Sequence, residues 1–299
     1  MKVAVMTDSN AGIKPDEAAK LGIYLTYTPI IIDGEVFYQE TNLTQEEFYT
    51  QLAGDKDITT SMPSPGDVMD MWDKLLEEGY DEVVYVPLSS GLSNSCHTAI
   101  QLAEDYDGKV QVVDDHRISV TMRQSVLDAK WMADNEKSAK EIKEALEANA
   151  YNSVIFLTVD DLKYLKKGGR VTPAAAALGA VLNIKPVLTT VGGKFDALEK
   201  VRGMKKGIAK MLDYSEDFVN KMLEEHDIEK IRIGAAGSFS KQEDADAWYH
   251  QVKERFSDVA DIYYDPLSFV VGTHTGPEAV GMGVSVISVS YTHLRAHET

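Results

Sequence analysis

The chain has 299 residues, enough for two domains with separate cores, and 48 acidic against 30 basic side chains give it a formal net charge of −18. A field of that sign repels nucleic-acid phosphates and anionic membrane surfaces. The single cysteine, Cys96, allows no intrachain disulfide and no cysteine-based zinc site. The opening run Met1–Asp8 is too short for a signal peptide and nothing reaches the ~18 apolar residues of a membrane span, so a cytoplasmic protein without membrane insertion is expected.

Along the first half, strand-like and helix-like segments alternate. Lys2–Thr7 reads as a buried strand ending in the polar turn Asp8-Ser9-Asn10, and a short helix follows at 16–20. Strands at 24–32 and 36–38 flank the hairpin dipeptide Asp33-Gly34. Val68, Met71, Trp72, Leu75 and Leu76 recur at helical spacing before Gly79, and strand 82–88, helix 93–105, strand 110–113 and helices 121–132 and 139–148 complete the series. Strands separated by helices of this length imply a parallel sheet, whose ligands bind beyond the carboxyl ends of the strands.

After a strand at 153–158 the pattern changes. An amphipathic segment, Asp161–Lys167, stops at Gly168-Gly169, and Pro173 opens an alanine-rich helix that the pattern carries to Leu182. Strands 183–190 and 194–201 are joined by Gly192-Gly193, followed by helix 204–225, strand 231–234, helix 242–256, strand 261–264 and a last strand at 285–291. The expected division is an α/β domain over 1–160, an α+β domain over 161–291 and a frayed or non-native tail over 292–299. In that tail His293 and His297 have metal-ligand spacing, but the segment offers no apolar face to dock.

Charge is unevenly spread. Between Lys163 and Lys210 eleven basic residues face two acidic ones, so this window is +9 and the remainder −27. Such a reversal suits an anion or an acidic partner, while each single lysine reads equally as a solvated surface group.

Four segments gather small polar groups beside strand ends: Asp8-Ser9-Asn10, Thr59–Ser64, Leu88–Asn94 and Thr273–Pro277, in which Thr273–Gly276 reads as a tight turn. Hydroxyls at helix starts ordinarily cap backbone amides. Ser61 and Ser93 together with His274 make a different set, since hydroxyls, amides and an imidazole form a cradle for carboxylate or phosphate. Ser93 with His274 also raises an esterase or acyltransferase reading, although Ser90-Gly91-Leu92-Ser93-Asn94 is not a Gly-x-Ser-x-Gly elbow. No Walker A or Gly-x-Gly-x-x-Gly sequence is present, which argues against nucleotide binding.

The order Asp8-Ser9, Thr60-Ser61-Met62-Pro63-Ser64, Leu88-Ser89-Ser90-Gly91-Leu92-Ser93, Val113-Asp114, Leu165–Val171, Leu182–Pro186, Lys200-Val201-Arg202 and His274-Thr275-Gly276-Pro277 resembles the DegV family of fatty-acid-binding proteins, the B subunits of bacterial fatty acid kinase. The resemblance implies a two-domain α/β fold, with a parallel-sheet N-terminal domain, an α+β C-terminal domain and a long-chain fatty acid in a tunnel between them. It implies a ligand site of Thr60, Ser61, Ser93, Asn94, His274, Thr275 and Arg170, with Arg202 and Lys167 toward a partner or phosphate. No catalytic residue, metal or cofactor is expected; a separate ATP-dependent kinase subunit would form the acyl phosphate, feeding phospholipid synthesis. Apolar walls are expected from residues such as Phe156, Val181, Ile184, Leu188, Phe269 and Val270, each also a plausible core residue. Glu278, where the family usually has glycine, would raise the His274 pKa or point outward.

Overall fold

A computed structural model describes residues 1–54, 56–180, 184–259 and 261–289. Three sheets organise it. The first contains β1 (Val3–Asp8), β2 (Ile23–Thr26), β6 (Glu82–Val86) and β7 (Val110–Val112) in the order β2-β1-β6-β7, all parallel. The continuous apolar run of β1 is explained by helices on both faces. Val3 and Val5 pack with α5 (Ser119–Asp134) and α6 (Ala139–Ala148), while Ala4 and Met6 pack with α3 (Pro65–Glu77) and α4 (Ser95–Ala103). The remaining helix of this part, α1 (Pro15–Leu21), leads into β2. Cys96 lies in this second layer, where burial pushes its thiol pKa up and leaves it inert.

A small antiparallel sheet, ordered β4-β3-β5, is made from β3 (Ile30–Ile32), β4 (Glu35–Phe37) and β5 (Ile58–Thr60), with α2 (Gln45–Ala53) between the last two in sequence. The expected single strand 24–32 is therefore two strands in different sheets, separated by a segment containing Pro29, which lacks a backbone donor. So small a unit cannot bury a core alone. Its Ile30, Ile32, Phe48, Leu52 and Ile58 are closed over by Phe269 and Val270 from α11 (Phe269–Thr275), and Phe48 stacks on Phe269 with ring centroids 4.6 Å apart.

The third sheet, ordered β10-β9-β8-β13-β11-β12, is antiparallel except for the β11–β12 pair. Its strands are β8 (Ser153–Thr158), β9 (Ile184–Thr190), β10 (Asp196–Arg202), β11 (Ile231–Gly237), β12 (Asp261–Pro266) and β13 (Val280–Val286). The helices α9 (Met204–Met222) and α10 (Gln242–Arg255) cover one face through Phe156, Val187, Met211, Trp248 and Val252. The opposite face, with Ile155, Leu157, Leu188 and Ala236, packs against Leu88, Leu92, Ile118 and Val120 from the first part of the chain. Gly234 and Gly283 are paired across β11 and β13, and a Cβ on them would come within 2.4 and 2.7 Å of Val120, so the pair forms the flat seat on which α5 starts.

The last strand lies earlier than the expected 285–291, and the chain then returns to the first sheet: Val289 joins the core with Val3 and Ile142, and the Ser288 amide donates to Asp128 Oδ2 at 2.6 Å. β8, on the N-terminal side of residue 160, is a central strand of the third sheet. The Thr273–Gly276 turn of the sequence reading is instead the end of α11, with Gly276 as its C-cap. Pro173 opens α8 (Pro173–Ala176), which passes into a 3-10 turn through Ala180, and α7 (Lys163–Gly168) precedes it. Val181, Leu182 and Asn183, and the tail with His293 and His297, lie outside the described residues. Among the described residues no helix is long and apolar enough to cross a membrane.

Phe48 is fully buried and joins α2 to α11. Phe48→Ala is expected to cost about 3–5 kcal/mol of unfolding free energy, read from urea denaturation followed by tryptophan fluorescence; a loss below about 1 kcal/mol would contradict the packing described.

Candidate functional site

A cavity of about 240 Å³ opens where the three sheets meet. Thr60, Ser61, Ser93, Asn94, Arg170, His274 and Thr275, the seven residues expected to bind ligand, all line it. They come from the end of β5, the loop after β6, the loop after α7 and the end of α11. Lys167 and Arg202 are not among the lining residues. Lys167 is paired with Asp57 at 2.6 Å, and Arg202 is exposed on the edge strand β10.

The polar end is fixed by a buried network. Asp8 Oδ1 accepts from the Asn10 backbone N–H and side-chain amide at 2.8 and 2.7 Å, and Oδ2 accepts from the Leu88 N–H at 2.8 Å. Burial raises the Asp8 pKa while these donors oppose the rise. The Asn10 amide also donates to Thr28 Oγ1 at 3.1 Å and its carbonyl oxygen accepts from Ser268 Oγ at 3.3 Å, so the ends of β1 and β12 share one set of bonds. Asn10 and Thr28 line the cavity too. Asn10 belongs to a polar segment visible in the sequence; Thr28, placed within an apolar run, carries no such signal.

His274 Nε2 and Thr60 Oγ1 are hydrogen-bonded at 2.9 Å. On the ring's other side lies Gly168, where a Cβ would stand 2.1 Å from His274 Nδ1, so only glycine admits the imidazole there. Burial, with the Arg170 charge as the lesser cause, depresses the His274 pKa to about 4, and the imidazole is neutral at physiological pH. Arg170 is oriented by donating from Nε to the Leu92 carbonyl at 3.1 Å and from Nη1 to the Gly168 carbonyl. Its Nη2 and the Ser61 hydroxyl carry no hydrogen bond among the described residues, and Ser93 Oγ accepts from the Ser95 N–H at 3.2 Å with its own proton left to donate. Among the described residues Arg170 is the one with a charged side chain lining the cavity, so this end favours a single negative charge.

Apart from Ser95, the rest of the wall is apolar, formed by Met62, Pro63, Leu88, Leu92, Ile118, Leu165, Phe195, Val270 and Val271. Ile118, Phe195, Val271 and Thr275 are shared with a second hollow of about 20 Å³ that continues toward Val120, Ile155, Leu157, Leu267 and Met282. Of the expected wall residues only Val270 is found in these linings. Phe156 packs beneath α9, Leu188 lies in the interior between the sheets, Phe269 is against Phe48, Ile184 pairs with Arg202, and Val181 is outside the described residues. Loops after β6 and β7, with Leu165 of α7, Phe195 before β10 and the start of α11, supply the walls instead.

Glu278 does not act on the imidazole in the way its position suggested: its carboxylate accepts from the Ser240 N–H at 3.1 Å and from the Ser240 hydroxyl, and the His274 pKa moves down. Ser93 and His274 are each bonded elsewhere, so the serine–imidazole pair needed for acyl transfer is not formed.

The His274 shift has a measurable consequence. The unfolded chain protonates this residue below its ordinary value of 6.5, whereas the folded protein resists until about 4. Stability is therefore lost as pH falls through that window, on the order of 2–3 kcal/mol from this group. In His274→Gln that component is missing, so urea midpoints of wild type and variant should diverge between pH 6.5 and pH 4.5; parallel curves would contradict a buried neutral imidazole.

The family model described as "Uncharacterised protein, DegV family" matches residues 2–286. A DegV domain-containing protein of Deinococcus radiodurans is 30% identical over 290 residues, covering 96% of this chain and 100% of its own. One from Staphylococcus aureus is 31% identical, with 95% and 97% covered. Among solved structures, a fatty-acid-binding DegV family protein of Thermus thermophilus superposes with a TM-score of 0.85 at 27% identity, over 96% of this chain and 100% of that one. DegV of Bacillus subtilis, described as a fatty acid binding protein, superposes with a TM-score of 0.82 at 25% identity, over 96% and 99%. With a family match across nearly the whole chain and relatives of this identity and coverage, the chain belongs to the DegV family.

Proposed function

We propose that the chain binds a long-chain fatty acid in this cavity and presents its carboxylate to a separate ATP-dependent kinase subunit, itself performing no chemistry. The observation that carries the reading is the two-ended cavity: hydroxyls, an amide, a neutral imidazole and one guanidinium at one end, and an apolar hollow leading away from them. Burying a carboxylate is costly unless charge-assisted hydrogen bonds replace its water, and Ser61, Ser93, Asn94 and Arg170 supply such donors. The T. thermophilus and B. subtilis relatives are described as binding fatty acids, which supports the same ligand class here.

The kinase step is supported by charge. Lys194, Lys200, Arg202, Lys205 and Lys206 are exposed and carry no ion pair among the described residues, whereas Lys163, Lys167, Lys185 and Lys210 of the same basic window do. An otherwise acidic protein thus offers a free basic strip along β10 and the start of α9, suited to an acidic kinase surface or to a newly formed acyl phosphate. The reading places the protein in the cytoplasm, with no nucleic-acid partner and no cofactor beyond the bound acid.

Organic extraction of the purified protein followed by mass spectrometry is expected to release a long-chain acid at near-stoichiometric amount. An empty extract from protein that also fails to take up added acid, or a small polar anion in its place, would overturn the reading. Ser61→Ala and Ser93→Ala are each expected to weaken acid binding roughly 10-fold or more. Arg202→Ala should impair kinase-dependent acyl-phosphate formation more than acid binding; equal loss of both would contradict its place at the partner surface.

A further inference from the structure

One buried ionisable group, Asp265, has no part in the site as described. It stands at the penultimate position of strand β12, 8% exposed, with its carboxylate pressed on the backbone of Gly12; a Cβ there would lie 2.0 Å from Oδ2. No hydrogen bond reaches this carboxylate among the described residues. The charged and titratable groups around it are Arg123 on α5, Glu17 on α1, Lys14 before α1, and Tyr263 and Tyr264 on its own strand. Arg123 is already committed, with both terminal nitrogens on the Glu17 carboxylate and its guanidinium carbon 5.8 Å from the centre of the Tyr263 ring.

The position is a joint. Gly12 follows Asn10 at the end of β1, and Asp265 precedes Ser268, which caps α11 by accepting from the Val271 N–H at 3.2 Å and donates to Asn10 at 3.3 Å. The Asp265–Gly12 contact and the Ser268–Asn10 bond are thus two neighbouring links between the ends of β1 and β12, and the second of them seats the helix that carries His274. We infer that Asp265 is a proton-operated catch on this joint: neutral, its carboxyl closes against Gly12, and ionised, it is drawn toward water and Arg123, loosening the joint and the seat of α11. Burial as the main cause, with Glu17 adding to it and Arg123 and Lys14 opposing, raises the Asp265 pKa to about 7, so the change falls in the physiological range. The sign follows: the folded state holds this proton more tightly than the unfolded chain, so stability from this group is present at low pH and is lost as pH rises toward about 7.

Its meaning for ligand exchange rests on the fatty-acid reading above, but its test does not. Hydrogen exchange of the full chain, corrected for the intrinsic effect of pH, is measured between pH 6.5 and 8, where His274 is neutral throughout. The amides of 267–276 in wild type are expected to lose several-fold protection across this range, and those of Asp265→Asn to keep it. In Glu17→Gln, which frees Arg123 to pair with the carboxylate, the loss should move to lower pH by about one unit, a result that decides the matter if Asp265→Asn does not fold. Identical profiles in wild type and Asp265→Asn, or no shift in Glu17→Gln, would overturn the inference. Release of the fluorescent fatty acid cis-parinarate should be several-fold faster at pH 8 than at pH 6.5 in wild type and independent of pH in Asp265→Asn. If wild type takes up no parinarate, the functional reading falls and the exchange data still decide this one; if exchange differs and release does not, the catch is not coupled to the ligand and the inference falls.

Discussion

The short helix α11 and its cap contact elements of all three sheets, and these contacts fix sides of the cavity. Ser268 ties its start to Asn10 and the first sheet, Phe269 stacks on Phe48 of the small sheet, and His274 bonds Thr60 with its Nδ1 edge against Gly168. Gly276 at its end admits the ring of Tyr164, which a Cβ would meet at 2.3 Å. A helix of this length has little stability alone, so its position is set by these partners and not by propensity. The consequence is preorganisation: the imidazole and hydroxyls are held before a ligand arrives, and little ordering cost is left for binding.

The electrostatic design is economical in charge. Among the described residues of a chain with a net charge of −18, one guanidinium and no carboxylate stand on the cavity wall, while the nearby Asp8 is screened by three N–H donors and turned into a structural anchor. Hydroxyls and a neutral imidazole adapt their hydrogens to either a carboxylate or an uncharged acid. Among the described residues, the hollow beyond Ile118 and Phe195 offers no polar side chain beyond the hydroxyls of Ser119 and Thr275, which suits hydrocarbon and penalises a second charged group.

Much of the site was legible in the sequence for a physical reason. Ser93 and Asn94 follow β6, where polar residues at the carboxyl end of a sheet stand out against an apolar run, Thr60 and Ser61 belong to the hydroxyl-rich segment Thr59–Ser64, and Arg170 follows a glycine pair that ends a helix. The parallel first sheet and the β9–β10 hairpin were legible from period and turn chemistry. The small β4-β3-β5 sheet was not, because Ile58–Thr60 is too short to show alternation and its pairing with Ile30–Ile32 is long-range. Helix α11 looks like a turn in sequence because Thr273 and Gly276 are turn-like locally, while the Phe48 and Thr60 contacts that hold it helical lie more than two hundred residues away. The wall residues escaped for the same reason: Leu92, Ile118 and Phe195 sit in loops whose meeting depends on how the sheets dock.

The central claim is that a fatty acid lies with its carboxylate among Thr60, Ser61, Ser93 and His274. Carbon-13 NMR of carboxyl-labelled palmitate added to the delipidated protein tests it directly. The account predicts one bound resonance, separate from that of free acid, that is displaced in Thr60→Val and in Ser93→Ala. A bound resonance that follows bulk pH as free acid does and is the same in wild type and both variants would contradict it.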